Sequence, residues 1–184
     1  MEPSTEIAEL FAVVDDTLVS AALELFPAYE IEVAHLADEI EVPPSGATHI
    51  YAAVIGYAGE CVRGALVLMA PMDVIRSWRP DEVDMTEAIL DDTIGEFSNM
   101  LLGSVKNRLL ARGAVLLLAT PTIASGINFC LPAPSGGACR WQCFETVKGR
   151  FYARVDASFD AGFTFQPEPP ATDDVAADGD MMFL

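Results

Sequence analysis

Asp92, Glu96, Asn99, Gly103 and Lys106 recur at steps of four, three, four and three. On a helix of 3.6 residues per turn, that spacing puts all five on one stripe, away from Ile94, Phe97 and Leu101. The stripe sets a carboxylate and a side-chain amide one turn apart. Gly95 and Gly103 stand beside them, although a glycine inside a helix costs about 1 kcal/mol relative to alanine. Small residues let another surface come close, so the amide and the carboxylate can reach into a partner's pocket. The plainer reading is a solvated helix face, where Glu and Asn are ordinary.

Other chemistries find little support. The two histidines, His35 and His49, fall at a strand end and a strand start, and neither adjoins a nucleophile motif. No G-x-x-x-x-G-K phosphate loop is present. Cys139 and Cys143 form a C-x-x-x-C without a second ligand pair, which argues against a metal site. Cys61 and Cys130 lie in apolar runs and are expected to be buried thiols.

The stripe needs a long helix to carry it. The spacing predicts one over Asp84–Arg112, with acids near its start, Lys106, Arg108 and Arg112 near its end, and Gly113 as its cap. A second long helix is predicted over Thr5–Phe26, capped by Ser4 or Thr5 and stopped by Pro27. Strands are expected at Glu30–Glu41, Thr48–Ile55, Arg63–Met69, Ala114–Ala119 (as a continuous buried run) and Phe151–Phe159. Gly56–Gly59 reads as the turn of one hairpin. The Pro132–Gly137 segment reads as the turn of another, between Asn128–Leu131 and Cys139–Val147. A short helix opens at Pro71 and runs to about Trp78.

Val14-Asp15-Asp16-Thr17-Leu18 resembles Leu90-Asp91-Asp92-Thr93-Ile94, 76 positions later. The same offset carries the first hairpin turn into residues 132–135. Two copies of a helix-then-hairpin unit follow, related by a pseudo-two-fold axis. The copies differ: Glu96 and Asn99 correspond to Ser20 and Leu23. The fold class expected is α+β, two long helices packed on a mainly antiparallel sheet.

A chain of 184 residues, 52% apolar, suits one domain with a full core. Ten basic against 28 acidic residues give a net charge of −18, which argues against nucleic acid and anionic membrane as partners. The acidic N-terminus lacks a basic targeting region and no apolar run is long enough to span a bilayer, so the cytoplasm is the expected compartment. Residues 1–165 are expected to form the domain. Residues 166–184, with Pro167, Pro169, Pro170 and four aspartates but no basic residue, read as a disordered acidic tail tipped by Met181–Leu184.

Asp92-x-x-x-Glu96-x-x-Asn99, followed by an apolar strand ending Ala119-Thr120-Pro121-Thr122, resembles the CheC/CheX/FliY chemotaxis phosphatases. Gly95 to Lys106 is most similar to the CheX form, as is the single active helix; typical CheC has two. Pro121 falls 22 positions after Asn99, one short of the family's usual spacing. The resemblance implies dephosphorylation of a CheY-like phosphorylated response regulator. Asn99 would orient a water in line with the aspartyl phosphate, and Glu96 would pair with the regulator's active-site lysine. Asp92, Gly103 and Pro121 would be supporting motif positions. The implied protein has no cofactor of its own, the Mg²⁺ belonging to the regulator, and forms a homodimer. The rival reading is an adaptor that docks a regulator or signalling complex with weak or lost catalysis.

Overall fold

The computed structural model describes residues 5–37, 48–80, 84–127, 131 and 140–167. Apolar periodicity at helical spacing produces α1 (Thr5–Ala28) and α3 (Glu87–Ala111), with the short α2 (Met72–Ser77) leading into the second. The β-rich segments form β1 (Ala34–His35), β2 (His49–Ala58), β3 (Val62–Pro71), β4 (Leu117–Leu118), β5 (Thr122–Ile127), β6 (Trp141–Thr146) and β7 (Gly149–Phe159). All pairings are antiparallel, in the order β1-β6-β7-β3-β2-β4, with β5 also paired to β2. The chain is therefore the expected α+β layer of two long helices on an antiparallel sheet.

Alternation along β2 sorts its side chains between the two faces of the sheet. Tyr51, Ala53, Ile55 and Tyr57 join the main core under the helices, whereas Ile50 and Ala52 join a smaller apolar cluster with Val67, Met69, Cys143 and Tyr152. The main core takes Val14, Leu18 and Phe26 from α1 and Leu90, Ile94, Phe97 and Leu101 from α3. Each such side chain contributes about 1.5–3 kcal/mol of burial. The helices are thus held by their apolar faces, and their outer faces are left for other work.

Local signals set the helix ends. Thr86 caps α3, its hydroxyl accepting from the Ile89 N–H at 3.4 Å. Gly113 follows with φ +88, a left-handed conformation that glycine adopts without strain. Pro27 does not stop α1 but sits inside its last turn, where a proline removes only one backbone bond. The chain turns two residues after the helix end at Ala28, at Glu30 (φ +63).

Several sequence expectations are corrected. Ala114–Ala119 is not a buried strand: only Leu117–Leu118 pairs, and Val115 and Leu117 are 64% and 74% exposed. The run lies at a sheet edge, so alternate residues face water. The Glu30–Glu41 strand forms only at Ala34–His35, and residues 38–41 lie outside the described residues. Gly56–Ala58 continue β2, and the turn falls at residues 59–61. There Gly59 is required, because a Cβ would sit 2.2 Å from the Val115 carbonyl oxygen. Cys61, on that turn, is exposed rather than buried. The proposed hairpin around residues 132–137 falls largely outside the described residues. Its second arm, β6, turns through Val147–Lys148 into β7 instead. Cys130 and Cys139 also lie outside, as does the tail from residue 168. Strand β5 had no signal in the sequence, since Thr122-Ile-Ala-Ser-Gly-Ile is short and weakly apolar.

The repeat is present in a form the sequence only half shows. Exchanging β1 with β4, β2 with β6 and β3 with β7 maps the sheet order onto itself reversed. The register agrees strand by strand: Ala34 and His35 pair with Glu145 and Phe144, and Leu117 and Leu118 pair with Ala58 and Tyr57. A backbone bond repeats as well, Leu36 N–H to Cys143 O and Ala119 N–H to Gly56 O, both 2.9 Å. The helices recur at an offset of 76, so that Thr17 and Thr93 each donate to the carbonyl four residues back at 2.6 Å. The hairpin recurs at 87, not 76, since Tyr57 corresponds to Phe144. Its turn at 59–61 therefore answers to residues 146–148 and not to 132–135.

Candidate functional site

Helix α3 sorts its residues as the spacing demands. Ile94, Phe97 and Leu101 are buried, while Asp92, Glu96 and Asn99 are exposed and Gly103 and Lys106 half-exposed on the other side. The turn carrying Glu96 and Asn99 rests on an aromatic floor. Phe97 lies 5.3 Å from Phe26, 4.9 Å from Trp78 and 5.4 Å from Tyr29, ring centre to ring centre. The Tyr29 hydroxyl donates to the Met100 sulfur at 2.9 Å. Such packing fixes the backbone of α3 at the point where its polar side chains leave the surface.

Beside Asn99 lies an open groove of about 490 Å³, lined by Tyr29, Trp78, Arg79, Glu96, Phe97 and Met100 as well as Asn99 itself. Its wall is mostly apolar, from Tyr29, Trp78, Phe97 and Met100, and its charged and amide groups are Arg79, Glu96 and Asn99. The Arg79 guanidinium donates to the Glu96 carboxylate. Asn99 is exposed, with its amide uncommitted among the described hydrogen bonds.

The two glycines behave differently. A Cβ on buried Gly95 would meet Ile123 Cδ1 at 3.5 Å, an ordinary contact. On Gly103 it would meet nothing within 4 Å, so no internal packing calls for glycine there. Pro121 is not on this helix face; it belongs to the segment entering β5, two residues before Ile123. The structure thus brings Asp92, Glu96, Asn99 and Gly103 onto one face and leaves Pro121 on another element. At the start of α3, burial first, then neighbouring Glu87 and Asp92, push the Asp91 carboxyl above its usual range.

In the first half, Ser20 and Leu23 occupy the matching exposed positions on α1. Tyr29, Trp78 and Arg79 fall outside the helical stripe that marks the site in the sequence. They come from the end of α1 and the loop after α2, and only folding gathers them at α3. The one local hint is a Trp-Arg-Pro run directly after a short helix.

An antiparallel sheet with a pseudo-two-fold axis, carrying two long helices of which one presents Glu and Asn to solvent, defines a class of fold. The family model described as chemotaxis phosphatase CheX matches residues 51–145, more than half of the chain, and the chain belongs to that family. No curated protein matches this sequence. Among solved structures, a CheC-like superfamily protein from Shewanella sp. PV-4 is similar with a TM-score of 0.68 and 20% identity, over 79% of this chain and 97% of that one. The chemotaxis protein CheX from Vibrio vulnificus gives 0.66 and 17%, over 79% and 99%. A CheX–CheY–BeF3–Mg²⁺ complex from Borrelia burgdorferi gives 0.55 and 14%, over 78% and 94%. At these identities the structural likeness shows the fold. Among the described residues no helix is long and apolar enough to cross a membrane.

Proposed function

We propose that the protein is a phosphatase that hydrolyses the aspartyl phosphate of a CheY-like response regulator. The observation that carries this reading is the exposed Glu96–Asn99 pair on the rigid outer face of α3, in a chain of the CheX family. The Borrelia burgdorferi complex of CheX with CheY supports the choice of partner. In the reaction a water oxygen attacks phosphorus while the acyl P–O bond breaks, leaving inorganic phosphate and a free aspartate. An acyl phosphate is already reactive, so placement is most of what a catalyst must add. The Asn99 amide oxygen accepts a hydrogen bond from the water and orients it in line, without taking its proton, as glutamine does in GTPases. Glu96 anchors the helix through a cationic side chain of the regulator. Asp92 supports the acidic start of the stripe, and Gly103 leaves room for the partner's surface to approach α3. Pro121 shapes the entry to β5, whose Ile123 packs under Gly95. The Mg²⁺ is assigned to the regulator.

We further assign the protein to the cytoplasm and to a homodimer joined at the β4–β5 edge. The segment 117–127 there carries no charged residue in a chain of net charge −18, so it is the edge that a second copy can approach without repulsion. Light scattering at micromolar concentration tests the dimer, and a monomer would refute it.

The deciding experiment follows phosphate release from purified phospho-regulators of the source genome. Acceleration by wild-type protein, lost in Asn99→Ala with binding retained, is the expected result. Binding without acceleration of any regulator would leave an adaptor and overturn the phosphatase reading.

A further inference from the structure

The docking carboxylate is already occupied. Arg79 Nη2 pairs with Glu96 Oε2 across the groove beside Asn99, and among the side chains lining that groove Arg79 is the only cation. The side chains of Arg79 and Glu96 are 34% and 57% exposed. A half-wet pair of this kind contributes little net stability, because water solvates both ends well when they separate. It is strong enough to choose the resting position of Glu96 and weak enough for a competing cation to displace.

Two further features give the pair a purpose. Glu87, Asp91 and Asp92 crowd the start of the same helix, and the chain as a whole carries −18. A bare carboxylate at the middle of the docking face would add to that field, and Arg79 neutralises it until a partner arrives. Next to it, Trp78 is buried and packed against Phe26, Phe97 and Phe151, which anchors the backbone from which Arg79 projects. The guanidinium therefore stays within reach after displacement and recaptures Glu96 when the partner leaves.

We propose that Arg79 is a placeholder cation: it holds Glu96 in the free protein and is exchanged for a cationic side chain of the regulator on docking. The inference rests on the reading of Glu96 as the docking carboxylate, and it makes Arg79 a positioning residue that sets affinity and exchange. Glu96 exchanges one N–H···O partner for another, so the carboxylate is never left without a cation, while the half-exposed Arg79 turns to solvent. The resting pair is a competitor, and removing it should tighten binding.

The test measures, by calorimetry, the affinity of the full chain for a CheY-like regulator loaded with Mg²⁺ and beryllofluoride. Arg79→Gln is expected to bind about threefold to fivefold more tightly than wild type, the range an exposed pair can supply. Arg79→Lys restores wild-type affinity. In a Glu96→Gln background Arg79→Gln has no effect, because nothing remains for it to release. At about 0.5 M salt, where the pair is screened, the gain disappears. Equal or weaker binding by Arg79→Gln overturns the placeholder, and so does an equal gain in the Glu96→Gln background. The phosphatase reading is judged separately by the turnover of Asn99→Ala, so either idea can fall while the other stands.

Discussion

The two halves of this molecule share a scaffold and differ in what they present. Helices α1 and α3 use the same register of buried positions: Val14, Leu18, Ala21 and Ala22 in one stand where Leu90, Ile94, Phe97 and Ser98 stand in the other. Their threonines make the same back-bond to the preceding turn. On the outer face the first half shows Ser20 and Leu23, and the second shows Glu96 and Asn99. A fold built from two like units needs both apolar faces to fill one core. It needs polar chemistry only where a partner is met, so one outer face is free to differ. The difference extends to the support: Phe97 builds the aromatic floor with Phe26 and Trp78 where α1 has Ala21.

Giving α3 the residues of α1 breaks the contrast one element at a time. Phe97→Ala, the counterpart of Ala21, should have the largest effect. It opens a cavity among Phe26, Tyr29 and Trp78 and should cost about 3–5 kcal/mol in denaturant unfolding. Asn99→Leu, the counterpart of Leu23, should reduce regulator dephosphorylation by about 10²-fold or more. Its stability should stay within about 0.5 kcal/mol of wild type, because position 99 faces solvent. If activity survived that change, α3 would be no more a catalytic helix than α1. Glu96→Ser, the counterpart of Ser20, should raise KM about tenfold at low salt, with a difference that shrinks as salt screens the docking pair.

The smallest effect is expected in the first half. Buried Asp15 accepts from Gln142 Nε2 at 2.6 Å, and Gln142 Oε1 lies 2.7 Å from His35 Nε2. Burial outweighs the help from Gln142, Arg140 and His35 and holds the Asp15 carboxyl above its ordinary 3.8. Between the unfolded and the raised folded pKa the folded state binds more protons. Its stability from this group therefore falls as pH rises through that window and stays lowered at neutrality. Asp15→Asn should raise Tm at pH 7 by an amount worth about 1 kcal/mol or less, and the gain should vanish below pH 4. An unchanged Tm at pH 7 would show that Gln142 and Arg140 already compensate the buried charge.

The site was legible in the sequence as far as one helix carries it. Asp92, Glu96, Asn99 and Gly103 share a face because helical periodicity alone puts them there. Pro121, which the family resemblance adds as a supporting position, does not share that face, and spacing could not say where its element would lie. The helix repeat at 76 was visible because its residues are similar. The hairpin repeat at 87 was not, because the halves share register and hardly any residues.

By itself the sequence determined the two amphipathic helices, the antiparallel class and the polar stripe. Each depends on local periodicity, which a chain carries wherever it folds. Tertiary structure alone decided that the Ala114–Ala119 run lies at an edge with half its side chains in water, and that Thr122–Ile127 becomes a strand by pairing with β2. It also decided that Arg79, 17 residues before Glu96, closes on that carboxylate over a floor drawn from α1, α2's following loop and α3. These depend on which segments meet in space. Burial and pairing of that kind are properties of the assembled sheet and helices, and no short stretch of chain encodes them.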